Sequence, residues 1–277
     1  MSVNIKHIPN PKKLPELKKL NSIQNPPKEL YAEGKWRPEI FQNCIAIVGS
    51  RRLTAYGKRV IETLIPKLVW QGQTIVSGMM YGADQYAHEK TIENGGVTIG
   101  ILGWGINNHL KNEDKKLAQK IIKNDGLIIS EWKDLTAARW TFPARNRIIA
   151  GLSDEIYVIE AALKSGSLIT ANLAKRFNRK LWAVPGPITS HVSRGTNLLI
   201  SEGKADMYLG EIENKTSPKD KKITHPILSL LLNEPLTINE ISRHLNKSIS
   251  EIGAELSLLA IEEQVLEQDS KYYLNQN

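Results

Sequence analysis

From Phe41 to Glu202 the chain alternates short, continuously apolar runs with longer amphipathic segments, and no other feature restricts its folding as tightly. The first pair is Ile45 to Val48, then a stretch in which Ile61, Leu64, Ile65, Leu68 and Val69 fall on one helical face. The unit recurs as Thr74 to Ser77 with Ala83 to Asn94, and as Val97 to Leu102 with Glu113 to Lys123. Leu127 to Ser130 reads as a further strand. It is followed by a helix at Ala144 to Gly151, a strand at Ile156 to Glu160, a helix at Ser167 to Phe177, a strand at Leu181 to Val184 and a helix near Thr196 to Glu202. Strands that are apolar without alternation are covered on both faces, and the strand–helix repeat makes their neighbours parallel. The reading is a doubly wound α/β fold on a mostly parallel sheet. With 277 residues, such a chain buries roughly three quarters of its unfolded surface, so neither metals nor disulfides are needed to stabilise it. Its one cysteine, Cys44, lies inside the first apolar run, excludes an internal disulfide and fits a reducing compartment.

Residues 1–38 mix Pro, Lys and Asn with one short helical candidate, Leu14 to Leu20, and read as an N-terminal arm. Residues 39–209 form the α/β domain, and the polar run GEIENKTSPKDKK at 210–222 reads as a linker. Residues 223–277 predict helices at Pro226 to Leu232, Ile238 to Leu245 and Ser248 to Glu263, then an extended pair around Val265-Leu266 and Tyr272 to Leu274. Thr237 and Ser248, each followed three residues later by Glu240 or Glu251, are N-caps of the capping-box kind. Three short helices and a hairpin suggest a small C-terminal winged helix-turn-helix domain. The most apolar stretch, Val97 to Ile106, is too short and too rich in glycine to cross a bilayer, so a cytoplasmic protein with no membrane partner is expected.

The formal charge of +8 is unevenly spread. Residues 223–277 carry three Lys/Arg against eight Asp/Glu, a net −5, which leaves +13 on the rest. A strongly basic body suits a polyanionic partner such as nucleic acid, although lysines scattered over a solvated surface give the same total.

Motifs decide between the two. Ligands of parallel α/β sheets sit beyond the carboxyl ends of the strands, where helix N-termini present unpaired N–H groups to anions. Four of the turns expected there combine glycine with serine, cations or aromatics: Gly49-Ser50-Arg51-Arg52, Ser77-Gly78 running on to Gly82, Gly103-Trp104-Gly105, and Lys164-Ser165-Gly166-Ser167. Glycine lets a phosphate approach the backbone, serine donates a hydrogen bond and the cations supply charge. Neither G-x-G-x-x-G after a strand nor G-x-x-x-x-G-K-[ST] occurs, which argues against a bound mononucleotide or dinucleotide. Asp84 and His88 lie one helical turn apart and have the spacing of an acid/base pair, but no nucleophile or orienting group accompanies them; pairing, capping or support of the Ser77-Gly78 loop is the favoured role. The other histidines lack metal-ligand spacing, so neither a metal nor a cofactor is expected. Trp140-Thr141-Phe142-Pro143-Ala144-Arg145-Asn146-Arg147 places two aromatics ahead of a helix with two arginines in its first turn. Cations there oppose the helix dipole unless an anion or a carboxylate such as Glu131 or Glu160 meets them. Phe142 is either a core anchor or a base-stacking ring beside phosphate-binding arginines.

Several of these strings together resemble the DprA/Smf family of bacterial DNA-processing proteins, which bind single-stranded DNA and load the RecA recombinase during natural transformation. The resemblance rests on Ile47 to Arg51, on Ser77-Gly78 with Gly82, Asp84 and His88, on Phe142 to Ser153, on Lys164 to Ala171, and on Ala183 to Gly186 leading to Gly195 and Asn197. It implies an extended Rossmann-like fold that dimerises and carries DNA in a basic pocket, with single-stranded DNA and RecA as partners. It also implies that Ser50 and Arg51, with Arg52, bind phosphate, that Lys164 with Ser165, Gly166 and Ser167 forms the main cationic contact, and that Phe142, Arg145 and Arg147 line the path, with Ser77 and Gly78 beside it. The Ser77 loop departs from the family's S-G-x-A-x-G-I-D pattern at Met80, Ala83 and Tyr81, which suggests that Tyr81 stacks on a base. Too few residues precede the sheet for the family's optional N-terminal helical domain.

In the small domain the expected recognition helix, Ser248 to Glu263, has no Lys or Arg but holds Glu251, Glu255, Glu262 and Glu263. Its charge is the wrong sign for duplex DNA, so a protein contact, or a cover over the basic pocket in cis, is expected instead. A non-enzymatic single-strand binder is the leading reading. Related folds include phosphoribohydrolases acting on nucleoside monophosphates, but their P-G-G-x-G-T-x-x-E string does not occur here. A transcription regulator is disfavoured by the acidic helix.

Overall fold

Every residue of β3 (Cys44–Val48) and β4 (Thr74–Gly78) is buried, as strands covered on two faces require. The computed structural model describes residues 5–108, 112–210, 225–231, 234–262, 264–268 and 270–274. They fall into two units, Met1–Gly210 and Glu211–Asn277. Of the expected linker, 210–222, all but Gly210 lies outside the described residues.

The first unit runs β1 (Ile5–Ile8), α1 (Lys18–Asn21), β2 (Leu30–Gly34), β3, α2 (Ala55–Trp70), β4, α3 (Ala83–Glu93), β5 (Thr98–Ile101), α4 (Asn112–Lys123), β6 (Leu127–Ser130), α5 (Thr141–Leu152), β7 (Glu155–Val158), α6 (Ser167–Arg176), β8 (Lys180–Ala183), α7 (Arg194–Ser201) and β9 (Asp206–Met207). The strands form one sheet in the order β1-β2-β6-β5-β4-β3-β7-β8-β9. All pairs from β6 to β9 are parallel, while β1 with β2 and β2 with β6 are antiparallel. The parallel series thus starts at β3, winds outward to β6 and resumes at β7 on the other side of β3. At this reversal the connections leaving β3 and β7 diverge and leave a crevice above the strands' carboxyl ends.

Alternate side chains of β3 define the two faces. Cys44, Ala46 and Val48 pack with Leu20, Ile149 and Ala171 from α1, α5 and α6. Ile45 and Ile47 pack with Ile61, Leu64 and Ala87 from α2 and α3. On this second face Leu117 and Ile121 of α4 cover Ile128. Helices therefore lie on both faces of the sheet.

The stretch read as an arm is built into this unit. It adds β1 and β2 at the β6 edge, with Tyr31 opposite Ser130, and Leu17 and Leu20 are fully buried. The single helix expected at Leu14 to Leu20 is instead two 3-10 turns, Pro11–Lys13 and Pro15–Leu17, followed by the one-turn α1. Each proline opens a turn but cannot continue one, because it lacks an N–H.

The second unit comprises α8 (Pro226–Leu231), α9 (Ile238–Leu245), α10 (Ile249–Ile261) and the antiparallel pair β10 (Val265–Gln268) and β11 (Lys271–Leu274). Ile227, Leu231, Ile241, Ile252 and Leu256 make its own core. Thr237 with Glu240, and Ser248 with Glu251, close the two capping boxes read from the sequence. Among the described residues no helix is long and apolar enough to cross a membrane.

Candidate nucleic-acid interface

A cleft of about 900 Å³ opens at the strand-order reversal. Its edge is tied down from below. Glu160, buried just past β7, accepts the Thr54 backbone N–H at 2.9 Å and the Thr54 hydroxyl at 2.5 Å. Thr54 in turn caps α2 by accepting the Gly57 N–H at 3.2 Å, so the Gly49–Thr54 loop is anchored to the far side of the reversal. Gly82 adopts φ +91, a conformation that disfavours any side chain, and a Cβ there would lie 2.4 Å from the Ser50 carbonyl oxygen. That contact lets the Ala83 N–H donate to the Ser50 carbonyl at 3.1 Å, joining the loops after β3 and β4. On the other side, the Asn146 side-chain amide donates to the Gly166 carbonyl at 3.2 Å, and the Ser165 and Ser167 hydroxyls share a 2.8 Å hydrogen bond as α6 begins.

Arg51, Arg52, Arg139 and Lys164 are exposed and line the cleft. None of the four belongs to an ion pair among the described residues. The Arg51 guanidinium stands between two rings, 5.8 Å from the Tyr81 centroid and 5.6 Å from that of Phe142, within cation–π range of both. Phe142 lies against Gly103, where a Cβ would come within 2.8 Å of its ring, and meets Trp104 edge to face at 6.3 Å. Ser50, whose hydroxyl accepts the Arg52 N–H at 3.0 Å, completes this side. Cations outside any ion pair among the described residues, interleaved with rings and with the N-terminus of a helix, suit a polyanion whose other face is flat and aromatic.

Beneath the cations lies a buried polar layer. Asp84 lines the floor, and Arg145, only 3% exposed, donates to the Ile101 carbonyl at 2.6 Å. The two side chains converge on Gly78, where a Cβ would sit 2.2 Å from an atom of each. Burial raises the Asp84 carboxyl to about 6, against the opposing pull of Arg145 and of the Met80 N–H. His88 is fully buried, with Nε2 2.8 Å from the Gly78 carbonyl and Nδ1 2.6 Å from the Thr98 hydroxyl. Burial lowers its pKa to about 4, so the ring is neutral. A carbonyl only accepts, so Nε2 carries the proton and donates to Gly78, while the Thr98 hydroxyl beside Nδ1 also donates to the Ile75 carbonyl at 2.8 Å. His88 is a strut for the end of β4, the supporting role expected for it, and Asp84 faces Arg145 rather than His88.

Ser50, Arg51, Arg52, Phe142, Lys164, Ser165, Gly166 and Ser167 thus come together on one surface. Three expected contacts need correction, and a fourth, Arg145, lines the cleft as expected but from beneath. Ser77 is fully buried and donates its hydroxyl to the Ile47 carbonyl at 2.5 Å. Gly78 is buried against Asp84 and Arg145. Arg145 lies on the cleft floor as the counter-charge of Asp84. Arg147 does not line the cleft: it pairs with Glu131, one of the two carboxylates considered for it, and donates to the Asn25 and Ala144 carbonyls. Residues two apart on a helix point to different sides, so adjacent arginines in one motif serve different neighbours. Sequence reasoning missed Arg139, Asn146 and His191 as cleft residues. Asn146 stood inside a recognised string, but nothing in the pattern distinguished it from its neighbours.

Residues 7–217 match the family model described as DNA recombination-mediator protein A. The chain is 36% identical over 192 residues to the DNA processing protein DprA of Bacillus subtilis, covering 69% of this chain and 65% of that protein. It is 39% identical over 179 residues to protein Smf of Escherichia coli, covering 64% of this chain and 47% of that one. The chain therefore spans about half to two thirds of the length of these relatives. Among solved structures, DNA processing protein A of Streptococcus pneumoniae matches with a TM-score of 0.65 and 34% identity, over 75% of this chain and 71% of that chain. DNA processing protein A of Helicobacter pylori, described for its single-stranded DNA binding mode, matches with a TM-score of 0.67 and 32% identity, over 79% of this chain and 97% of that chain.

Proposed function

Because the chain belongs to the DNA recombination-mediator protein A family, we propose that its cleft holds single-stranded DNA without regard to sequence, as a cytoplasmic DNA-processing protein of transformation and recombination. Arg51 carries this reading. It is an exposed guanidinium in no ion pair among the described residues, above Asp84 and between the Tyr81 and Phe142 rings. A strand laid across it gives phosphates to Arg51, Arg52, Arg139 and Lys164, and bases to the two rings. No contact in this arrangement reads a base edge, so the affinity is electrostatic and stacking in origin.

Binding rather than catalysis is proposed. The two groups with acid/base spacing are both committed, Asp84 to Arg145 and His88 to Gly78 and Thr98. An extended Rossmann-like body that pairs with a second copy, and delivery of the strand to the RecA recombinase, belong to the same proposal and rest on the family. The second unit, with three helices and a hairpin, is proposed to be a winged helix whose acidic α10 meets protein rather than duplex DNA.

The test is binding of labelled oligo-dT against a duplex of equal length over a salt series. The logarithm of affinity for the single strand should fall with log salt by roughly 0.7 per neutralised phosphate. Arg51→Ala and Lys164→Ala should each weaken binding and flatten that slope. Affinity and slope unchanged in both variants, or a preference for duplex, would overturn the proposal.

A further inference from the structure

The cleft does not use the most exposed aromatic near it. Trp140 stands between two cleft-lining residues, Arg139 and Phe142, yet does not line the cleft itself. The residue is 58% exposed. An indole costs more to leave in water than almost any other side chain, and among the described residues this one has a single ring partner: it meets Trp132 nearly perpendicularly, with centroids 5.8 Å apart.

Both backbones beneath these rings are fixed. The Trp132 N–H donates to the Ser130 hydroxyl at 3.0 Å, and its carbonyl accepts the Ile106 N–H at 2.9 Å. The Trp140 carbonyl accepts the first α5 bond from the Ala144 N–H at 3.2 Å. Next to it the buried Thr141 brackets Ala138 through its own N–H and its hydroxyl. The chain that carries the two indoles is therefore tied down on both sides.

The surrounding charge suits an anion. Arg139 and Lys133, the chain neighbours of Trp140 and Trp132, are exposed. Of the nearby carboxylates, Glu131 is engaged by Arg147 and Asp134 by the Asn107 amide at 2.7 Å.

We propose that Trp140, braced by Trp132, is a base-stacking ledge on which a single strand leaving the cleft past Arg139 continues. The ledge adds binding that the cations of the cleft do not supply. This inference rests on the single-strand reading of the cleft, and it assigns the ledge to nucleobases: stacking on an indole needs a π-face and no particular base, while the phosphates between stacked bases remain with Arg139 and Lys133.

The experiment compares the full chain with its Trp140→Ala and Trp140→Phe variants on two probes, oligo-dT and an abasic deoxyribose-phosphate strand of equal length. Trp140→Ala should lose about tenfold in affinity for oligo-dT and keep its affinity for the abasic strand within a factor of about two. Trp140→Phe should retain most of the oligo-dT affinity, and in this variant the quenching of tryptophan fluorescence by oligo-dT should shrink. If Trp140→Ala leaves both affinities unchanged, or lowers both by one factor, the ledge is overturned while the cleft reading stands. Wild-type protein that fails to bind oligo-dT removes both.

Discussion

Asp84 and His88 stand one turn apart on α3 and titrate in opposite senses. Burial lifts the Asp84 carboxyl from 3.8 to about 6 and drops the His88 imidazole from 6.5 to about 4. A carboxyl whose folded pKa is raised binds its proton more tightly in the folded chain, so its contribution to stability falls as pH rises from about 4 to about 6. A histidine whose folded pKa is lowered does the reverse, contributing more as pH rises from about 4 to about 6.5. Each shift is about two pH units, on the order of 3 kcal/mol at about 1.4 kcal/mol per unit, and the two offset one another in the same window. Asp84→Asn is expected to uncover the histidine. Its stability relative to wild type should rise by roughly 2–3 kcal/mol between the acidic and near-neutral ends of that window, the pull of Arg145 on the Asp84 anion being already contained in that shift. Denaturant titrations at both ends measure the difference, and a variant that parallels wild type would show that Asp84 is ionised throughout. The helical spacing of this pair was legible in the sequence. Its partners were not, because Arg145 arrives from α5 and Thr98 from β5, and no local pattern records which distant side chain closes a buried site.

The connections rather than the strands determine what the cleft can hold, and Gly82 is the tightest of them. Alanine there combines a left-handed backbone that L side chains rarely adopt with a Cβ 2.4 Å from the Ser50 carbonyl. Gly82→Ala should therefore cost about 1–3 kcal/mol from strain alone, and it should move the Ser50-Arg51 turn away from Tyr81. Reduced stability by denaturant titration together with weaker oligo-dT binding is the expected pair of results; normal affinity at reduced stability would mean that the two loops are not coupled. Elements with a strong period were legible. β6 matches the expected Leu127 to Ser130, and α9 the expected Ile238 to Leu245. α5 begins at Thr141, ahead of the expected Ala144, because Pro143 sits in its first turn, where a missing N–H is harmless. β1 and β2 escaped the reading for a different reason. Leu30–Gly34 is a short, unalternating run whose partner β6 lies far along the chain, and pairing over such a distance leaves no trace in a local window.

At the scale of the whole molecule, charge is divided between the two units more unevenly than the net +8 suggests. Residues 211–277 carry seven Lys/Arg and eleven Asp/Glu, so a chain ending at Gly210 would have a formal charge of +12. All four exposed cleft cations lie in Met1–Gly210, which also has cores of its own on both faces of the sheet. A tethered acidic unit lowers the local concentration of a polyanion through long-range repulsion that salt screens within about 8–10 Å at physiological ionic strength. The truncated chain should therefore bind oligo-dT at least as tightly as the full chain at low salt, and the two should converge as salt rises. Because the phosphates are neutralised by the same residues in both, the slope near physiological salt should be shared. A truncated chain that binds about tenfold more weakly at every salt concentration would instead place a DNA contact in residues 211–277. That result would also remove the argument that the four acidic residues of the expected recognition helix keep the second unit away from nucleic acid.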